Sequence, residues 1–440
     1  IYSTTRCLNS INSINTAKTK VIVAKTDRVK ITTNDGRTFE GFEIPKSDSS
    51  SRDILILKLD NGYNIGVNTN KIQKREVLKG DAQVNKIPVP KIKGKGPLLS
   101  VIGTGGTIAS RVDYVTGGVE GSMSADEILA AVPEAANFAE LKYVNLMNKQ
   151  SEDLGPKDWL KIAQAICSEF KKSKGIIVTH GTDTMHYTAS IISFMIDTNK
   201  PIVFTGAQRS SDRPSSDAFM NILSSIHAAK SGIPESLICF HSSTSDDFNY
   251  ILMGNRTKKL HTSARSAFKS VNFPPLAKVW ADGKFKKLEE PIEAQKPKLY
   301  PKLEEKVALI KVFPGSNPDI LDYYASKNYK GIVIEGTGLG HVPVNSKLSW
   351  IPKIEELKDD MTFVMTSQTV SGRTHKHVYS NLRKISRLGA IYVKDMLSET
   401  AYTKLMWVLG NKLPIETMEK NVKRELNERT ISTCTQLDSP

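Results

Sequence analysis

The ten residues Ile176-Ile-Val-Thr-His-Gly-Thr-Asp-Thr-Met185 constrain this chain more than any other stretch. The apolar, β-branched run Ile176–Val178 reads as a strand buried on both faces, the signature of a parallel sheet. It ends abruptly in hydroxyls, a glycine and one carboxylate. From Met185 an apolar periodicity (Met185, Ala189, Ile192, Met195, Ile196) predicts a helix. Polar groups gathered at the carboxyl end of a buried strand stand where open α/β sheets keep their ligands. Taken alone, the same pattern also describes a plain strand-to-helix turn with Thr or Asp as the cap.

Two other strand ends repeat the habit. Leu98–Ile102 runs into Gly103-Thr-Gly-Gly-Thr-Ile-Ala-Ser110, and Pro201–Phe204 runs into Thr205-Gly-Ala-Gln-Arg-Ser-Ser-Asp212. Glycine lets the backbone turn sharply and come close to a ligand. The first loop carries no Gly-Lys-Ser/Thr, which excludes a Walker A phosphate loop, and lacks the Gly-x-Gly-x-x-Gly dinucleotide spacing. A nucleophile elbow Gly-x-Ser-x-Gly does not occur. What remains is hydroxyl chemistry. A Thr hydroxyl is nearly inert at neutral pH and needs a base or nearby cation. Thr on two loops, an Asp beside the second, and a desolvated or charge-coupled Lys brought in by the fold would supply one.

The rest of the chain is read around these loops. At 440 residues it is too long for one ordinary core. Residues 1–22 are rich in Ser, Asn, Thr and Lys and are expected to be disordered. Residues 23–80 alternate in short runs around Asn34-Asp35-Gly36 and Asp60-Asn61-Gly62, which predicts a small all-β, barrel-like domain. Residues 81–97 form a Pro/Gly/Lys linker. Strand–turn–helix units follow, with strands at Leu98–Ile102, Ile176–Thr179, Ile202–Phe204 and Leu237–Phe240. Helices are predicted at Ser124–Val132, Lys157–Lys172, Met185–Ile196 and Asp217–Lys230. A break near 285–302 separates a larger lobe, 98–295, from a smaller one, 300–440, with strands at Val307–Val312, Gly331–Ile334 and Thr362–Met365 and a helix from Ser398. The fold class is therefore α/β, a two-lobed doubly wound body behind a small all-β, barrel-like domain.

Composition narrows the setting. No run of about 18 apolar residues exists to span a membrane, and the first residues hold no apolar core of a secretory signal. Four scattered cysteines (Cys7, Cys167, Cys239, Cys434) fit a reducing cytoplasm better than a disulfide framework, and they make no zinc ribbon. His375 and His377 have no further ligands grouped with them, so no metal is expected. The net charge of +15 favours polyanion partners, yet the lysines are scattered and no basic platform interleaved with aromatics shows in the sequence.

Thr104-Gly-Gly-Thr-Ile-Ala109 and His180-Gly-Thr-Asp-Thr184 resemble the two motifs of the L-asparaginase/glutaminase family. Gly206-Ala-Gln-Arg209, Ser215-Ser-Asp-Ala218 and Phe268-Lys-Ser-Val-Asn272 extend the likeness, which covers roughly residues 98–410. In that family a Thr attacks the substrate amide, giving an acyl-enzyme and ammonia. The resemblance implies Thr107 as the attacking residue and Thr182 with Asp183 as the second Thr and its Asp neighbour. It implies Lys259 as the catalytic Lys, with the adjacent Lys258 as the other register. Tyr114 matches a lid tyrosine and Ser151 a substrate-contacting serine. Asp183 would hold the α-amino group of the substrate. Backbone amides of the glycine-rich loops, at Gly106 and Gly181, would line the substrate and stabilise the oxyanion.

The β domain, the linker and the amidase together resemble the D-subunit family of archaeal glutamyl-tRNA(Gln) amidotransferases. Gln208-Arg-Ser-Ser-Asp-Arg-Pro-Ser-Ser-Asp217 and Met396-Leu-Ser-Glu-Thr-Ala-Tyr-Thr-Lys-Leu-Met-Trp-Val-Leu409 look like that family too. The resemblance implies hydrolysis of glutamine or asparagine and transfer of ammonia to an E subunit that converts Glu-tRNA(Gln) to Gln-tRNA(Gln) with ATP. It implies no cofactor in this chain, ATP and Mg at the partner, and a homodimer within a hetero-tetramer. A stand-alone cytoplasmic L-asparaginase is the alternative. Among single residues, Thr104 reads as a turn hydroxyl and His180 as structural. Asp212 and Asp217 cap the next helix or contact ligand, and Lys420–Arg429 is a solvated helix face.

Overall fold

The computed structural model describes residues 28–44, 53–59, 64–78, 96–106, 110–112, 119–121, 132–209, 216–290 and 294–419. The expected polar tail, most of the linker, the expected helix Ser124–Val132 up to its last residue, Asp212 and Lys420–Arg429 lie outside them. The chain divides into two compact units, residues 1–84 with 113–118, and residues 85–112 with 119–440.

In the first unit five strands form one antiparallel sheet: β1 (Arg28–Thr33), β2 (Thr38–Ile44), β3 (Ile54–Leu59), β4 (Asn64–Asn68) and β5 (Ile72–Leu78), in the order β4-β3-β2-β1-β5. Alternation along β1 turns Val29, Ile31 and Thr33 inward, and Val29, Ile31, Leu55 and Leu57 make the core. The turn at Asn34-Asp35-Gly36 needs its glycine, which takes φ 82°. The sequence pattern does not announce β5, because Gln73-Lys-Arg-Glu76 interrupts its apolar residues. As the edge of the sheet, that strand exposes these charges to water.

The second unit is built on an eight-stranded sheet. Its parallel centre consists of β6 (Leu98–Gly103), β7 (Glu140–Asn145), β8 (Ile176–Thr179), β9 (Ile202–Thr205) and β10 (Ser236–His241), in the order β10-β9-β8-β6-β7. Beyond β10 the antiparallel strand β11 (Asn249–Met253) is followed, after the hairpin β12 (Thr257–Lys259) and β13 (Phe268–Ser270), by β14 (Ala277–Val279) and β15 (Phe285–Lys287). Successive residues of the central strands feed two separate cores. Ile176, Val178, Ile202, Phe204, Ile238 and Phe240 face one, while Ile177, Val203, Leu237 and Cys239 face the other. Burial on both faces is why these strands read as unbroken apolar runs.

Helices cover both faces. Helices α1 (Pro156–Glu169) and α2 (Met185–Met195) supply the first core, and α3 (Ala218–Lys230) the second. The smaller lobe has a four-stranded parallel sheet, β16 (Val307–Lys311), β17 (Gly331–Gly336), β18 (Thr362–Ser367) and β19 (Ile391–Tyr392), with α4 (Ile320–Ser326), α5 (Ile351–Leu357) and α6 (Ser380–Arg387). Helix α7 (Ser398–Gly410) joins the lobes. Its Trp407 stacks on Phe194 of α2 at 5.7 Å, and Thr403 shares a hydroxyl contact with Ser190 at 3.0 Å. Among the described residues no helix is long and apolar enough to cross a membrane.

Candidate active site

Register brings the three polar loops to one level. Thr179 lies beside Gly103 of β6 and Thr205 of β9, so all three chains leave the sheet together at its carboxyl edge. The backbone N–H and hydroxyl of Thr104 both donate to the Thr179 carbonyl, at 3.1 and 2.8 Å, and the N–H of His180 donates to the Thr205 carbonyl at 2.9 Å. Thr104 is fully buried and spent on this clasp, the turn role read from the sequence.

Glycine allows the first two loops to touch backbone to backbone. Gly106 takes φ 84°, and a Cβ there would stand 2.3 Å from the Cα and N of Gly181. A Cβ on Gly181 would in turn meet the Ser151 Cβ at 2.7 Å. Gly106, Gly181 and Ser151 are thus stacked, and the Thr184 hydroxyl pins the Ser151 carbonyl at 2.6 Å. Thr107, next in sequence to Gly106, and Tyr114 lie outside the described residues.

Thr182 and Asp183 meet Lys259 here. The Lys259 ammonium donates to Thr182 Oγ1 at 2.9 Å and to Asp183 Oδ1 at 2.6 Å. The Lys259 side chain is 8% exposed and Asp183 67%, so the pair joins a buried cation to a carboxylate open to solvent. Lys259 arrives on β12, paired with Phe268 of β13, whose ring packs on Phe240 at 4.7 Å. The neighbouring Lys258 does not join the cluster. It pairs with Glu399 at the start of α7, at 2.5 Å.

Two histidines back this cluster. Burial holds His180 near pKa 4, against a smaller upward pull from the Gly181 carbonyl. Its Nδ1–H donates to that carbonyl at 2.7 Å, and among the described residues Nε2 has no hydrogen-bond partner. His186 is likewise pushed down to about 4, first by burial, with Lys258 and Lys259 adding to the effect and Glu399 opposing it. Both rings are therefore neutral at pH 7.

Asp217 does not cap α3 with its side chain, although it occupies the cap position. Instead it accepts the backbone N–H groups of Gln208 and Arg209, each at 3.0 Å, closing the loop after β9 on itself. The sequence reading also missed the Lys258–Glu399 pair and His186, although Glu399 lies in the Met396–Leu409 run singled out for its resemblance. Among the described residues no group of three or more His, Cys, Asp or Glu gathers as a metal site.

Comparison with known proteins follows the same division. Residues 98–293 match the model "Asparaginase, N-terminal" and residues 306–421 the "Glutaminase/Asparaginase C-terminal domain". Residues 23–78 match the "GatD N-terminal domain". The glutamyl-tRNA(Gln) amidotransferase D-subunit of Pyrococcus abyssi is 45% identical over 411 residues, covering 90% of this chain and 92% of its own. The D-subunit of Methanosphaera stadtmanae is 44% identical over 403 residues, covering 88% of this chain and 90% of its own. The chain belongs to the D-subunit family of glutamyl-tRNA(Gln) amidotransferases. Solved asparaginases match less of it. The thermostable L-asparaginase from Thermococcus kodakarensis aligns with TM-score 0.67 and 33% identity, covering 97% of its own chain but 74% of this one. A probable cytoplasmic L-asparaginase from Campylobacter jejuni gives TM-score 0.62 at 25% identity, again over 74% of this chain. The asparaginase body is thus nearly complete in this member of the D-subunit family, and the β unit is additional.

Proposed function

We propose that this chain is the glutaminase/asparaginase component of a glutamyl-tRNA(Gln) amidotransferase. The observation that carries the reading is the Thr182–Lys259–Asp183 contact, on a chain whose extra β unit belongs to the D-subunit family rather than to a free-standing asparaginase. In this reading the Thr107 hydroxyl oxygen attacks the side-chain amide carbon of glutamine or asparagine. Its proton is relayed through the Thr182 hydroxyl to the Lys259 Nζ, which takes it as the free amine and is left as the ammonium. Collapse of the tetrahedral intermediate breaks the C–N bond, the proton goes to the leaving nitrogen, and ammonia departs. Water then cleaves the Thr107 ester, releasing the free acid. Backbone N–H groups of the Gly106 and Gly181 loops stabilise the oxyanion. Asp183, open to solvent, takes the α-amino group, while Ser151 and Tyr114 border the substrate.

Ammonia then goes to the partner E subunit, which uses ATP and Mg to convert Glu-tRNA(Gln) to Gln-tRNA(Gln). No cofactor is assigned to this chain. The assembly, taken from the resemblance alone, is a homodimer of this chain within a hetero-tetramer. Labelling with 6-diazo-5-oxo-L-norleucine, an electrophilic glutamine analogue, tests the site. The expected adduct lies on the peptide containing Thr107 and is lost in Lys259→Met. An adduct confined to any other peptide contradicts the assignment.

A further inference from the structure

A run of buried polar groups leads from the end of β10 to Gly206, which lies beside Thr182. At the end of β10, His241 is 1% exposed, yet both ring nitrogens are engaged. Nδ1 lies 2.7 Å from Asn221 Oδ1, and Nε2 lies 3.0 Å from Asp246 Oδ1. The Asn221 amide has only one orientation that satisfies its partners. Its Nδ2 donates to the Gly206 carbonyl at 2.9 Å and to Asp217 Oδ2 at 3.1 Å, and both are acceptors. Its Oδ1 therefore faces His241 and also accepts from Asn249 Nδ2 at 2.8 Å. Asp246 accepts from Arg265 at 2.8 Å and is held below its ordinary value, first by His241 and then, against burial, by Arg265.

A neutral imidazole has one N–H, yet both ring nitrogens here face an acceptor. We infer that His241 is a buried imidazolium and a positioning residue for the amide-donor site, acting through Asn221 and Gly206 on Thr182. Gly206 is the last link. A Cβ built on it would stand 2.5 Å from the His180 carbonyl and 3.2 Å from the Thr182 methyl, so its backbone abuts the second loop directly. Asn221 fixes Gly206, and with Asp217 it fixes Gln208 and Arg209. Losing one proton from His241 sets two acceptors against each other at one of its contacts and releases that clamp.

The charged groups around His241 are these. Asp246 faces it from the loop after β10, with Arg265 on the far side of that carboxylate. From α3, Asp217 stands behind Asn221. From β13, Lys269 donates to the carbonyl of the adjacent Ser242 at 3.0 Å. Asp247 is turned to Ser245. From β11 the uncharged Asn249 lies opposite His241 in the sheet and reaches it through Asn221. Asp246, with its side chain 64% exposed, is the group whose change disturbs packing least.

The positioning role rests on the proposed amide hydrolysis; the proton itself does not. Ring-nitrogen NMR of the 15N-histidine-labelled full chain reads the proton directly, with His241→Gln or the shift caused by Asp246→Asn giving the assignment. Both nitrogens are expected at imidazolium positions at pH 7.5, and a bare ring nitrogen there overturns the inference. In Asp246→Asn an amide replaces the facing carboxylate, so Nε2 no longer donates to an anion. KM for glutamine should then rise several-fold at pH 7.5 and recover at pH 6, with kcat little changed. An equal KM defect at both pH values makes the residue merely structural and overturns the positioning role. Absence of wild-type hydrolysis overturns the proposed function instead, and leaves the NMR result standing.

Discussion

Lys259 donates to the Thr182 hydroxyl at 2.9 Å from β12, a hairpin strand separate from the sheet whose loop carries Thr182. Its neighbour Lys258 serves the fold, tying β12 to Glu399 of the smaller lobe. Adjacent residues of a strand point to opposite faces, so two lysines in sequence are given two different tasks.

The two lysines should separate on mutation. Lys259→Met is expected to lower glutamine hydrolysis by roughly 10²–10⁴-fold with little change in melting temperature. Lys258→Met leaves Glu399 buried without its cation and is expected to cost about 3 kcal/mol, with hydrolysis by the folded fraction retained. Steady-state rates and urea melts of both variants check this. The reverse pattern would exchange the assignments.

Thr107→Ala is expected to abolish ammonia release while the chain still folds, since the hydroxyl is the proposed nucleophile. Ammonia assay and circular dichroism decide it together. A folded variant with normal turnover removes Thr107 from the mechanism.

Gly106→Ala tests the backbone contact between the first two loops. The new methyl would meet Gly181 backbone at 2.3 Å in a left-handed conformation. The expected loss is at least about 2 kcal/mol, with hydrolysis falling further than stability because the loops separate. A denaturant melt matching wild type contradicts it.

Much of this was legible in the sequence, for identifiable reasons. The strand Ile176–Thr179 stands out because a parallel strand buried on both faces must be apolar throughout. The edge strand Ile72–Leu78 does not, because water covers its charges. Asp217 could not be told from a cap, since its partners Gln208 and Arg209 are brought back to it only by the fold. Lys258 and Lys259 are adjacent in sequence, and only the fold turns Lys259 to Thr182 and Lys258 to Glu399. An aromatic and basic cluster was also invisible. Lys278 sits 4.3 Å over Phe248, which packs on Trp280, although no single window of sequence contains all three.

Acid sensitivity should trace in part to Glu169. Burial raises its pKa, but the Lys142 ammonium and the Ser100 hydroxyl together outweigh this and hold it below its ordinary 4.5. A depressed carboxyl stabilises the fold above its unfolded pKa, and the contribution is lost as pH falls through the folded value. Glu169→Gln is therefore expected to be less stable than wild type at pH 7 and to lose less stability between about pH 5 and 3. Parallel stability curves for the two proteins would contradict the pairing.

Deleting residues 1–80 is expected to impair Gln-tRNA(Gln) formation with the partner more than glutamine hydrolysis itself, because that β unit lies outside the asparaginase-like body. Equal coupling by the truncated chain removes the reason for assigning the unit to the complex.

The most direct test of the central claim is ammonia release from glutamine by the purified chain, alone and with an E subunit and Glu-tRNA(Gln). Strong stimulation by the two together is the predicted result. Full turnover by the chain alone, unchanged by either addition, would contradict the amidotransferase reading and favour a plain asparaginase carrying an extra β unit.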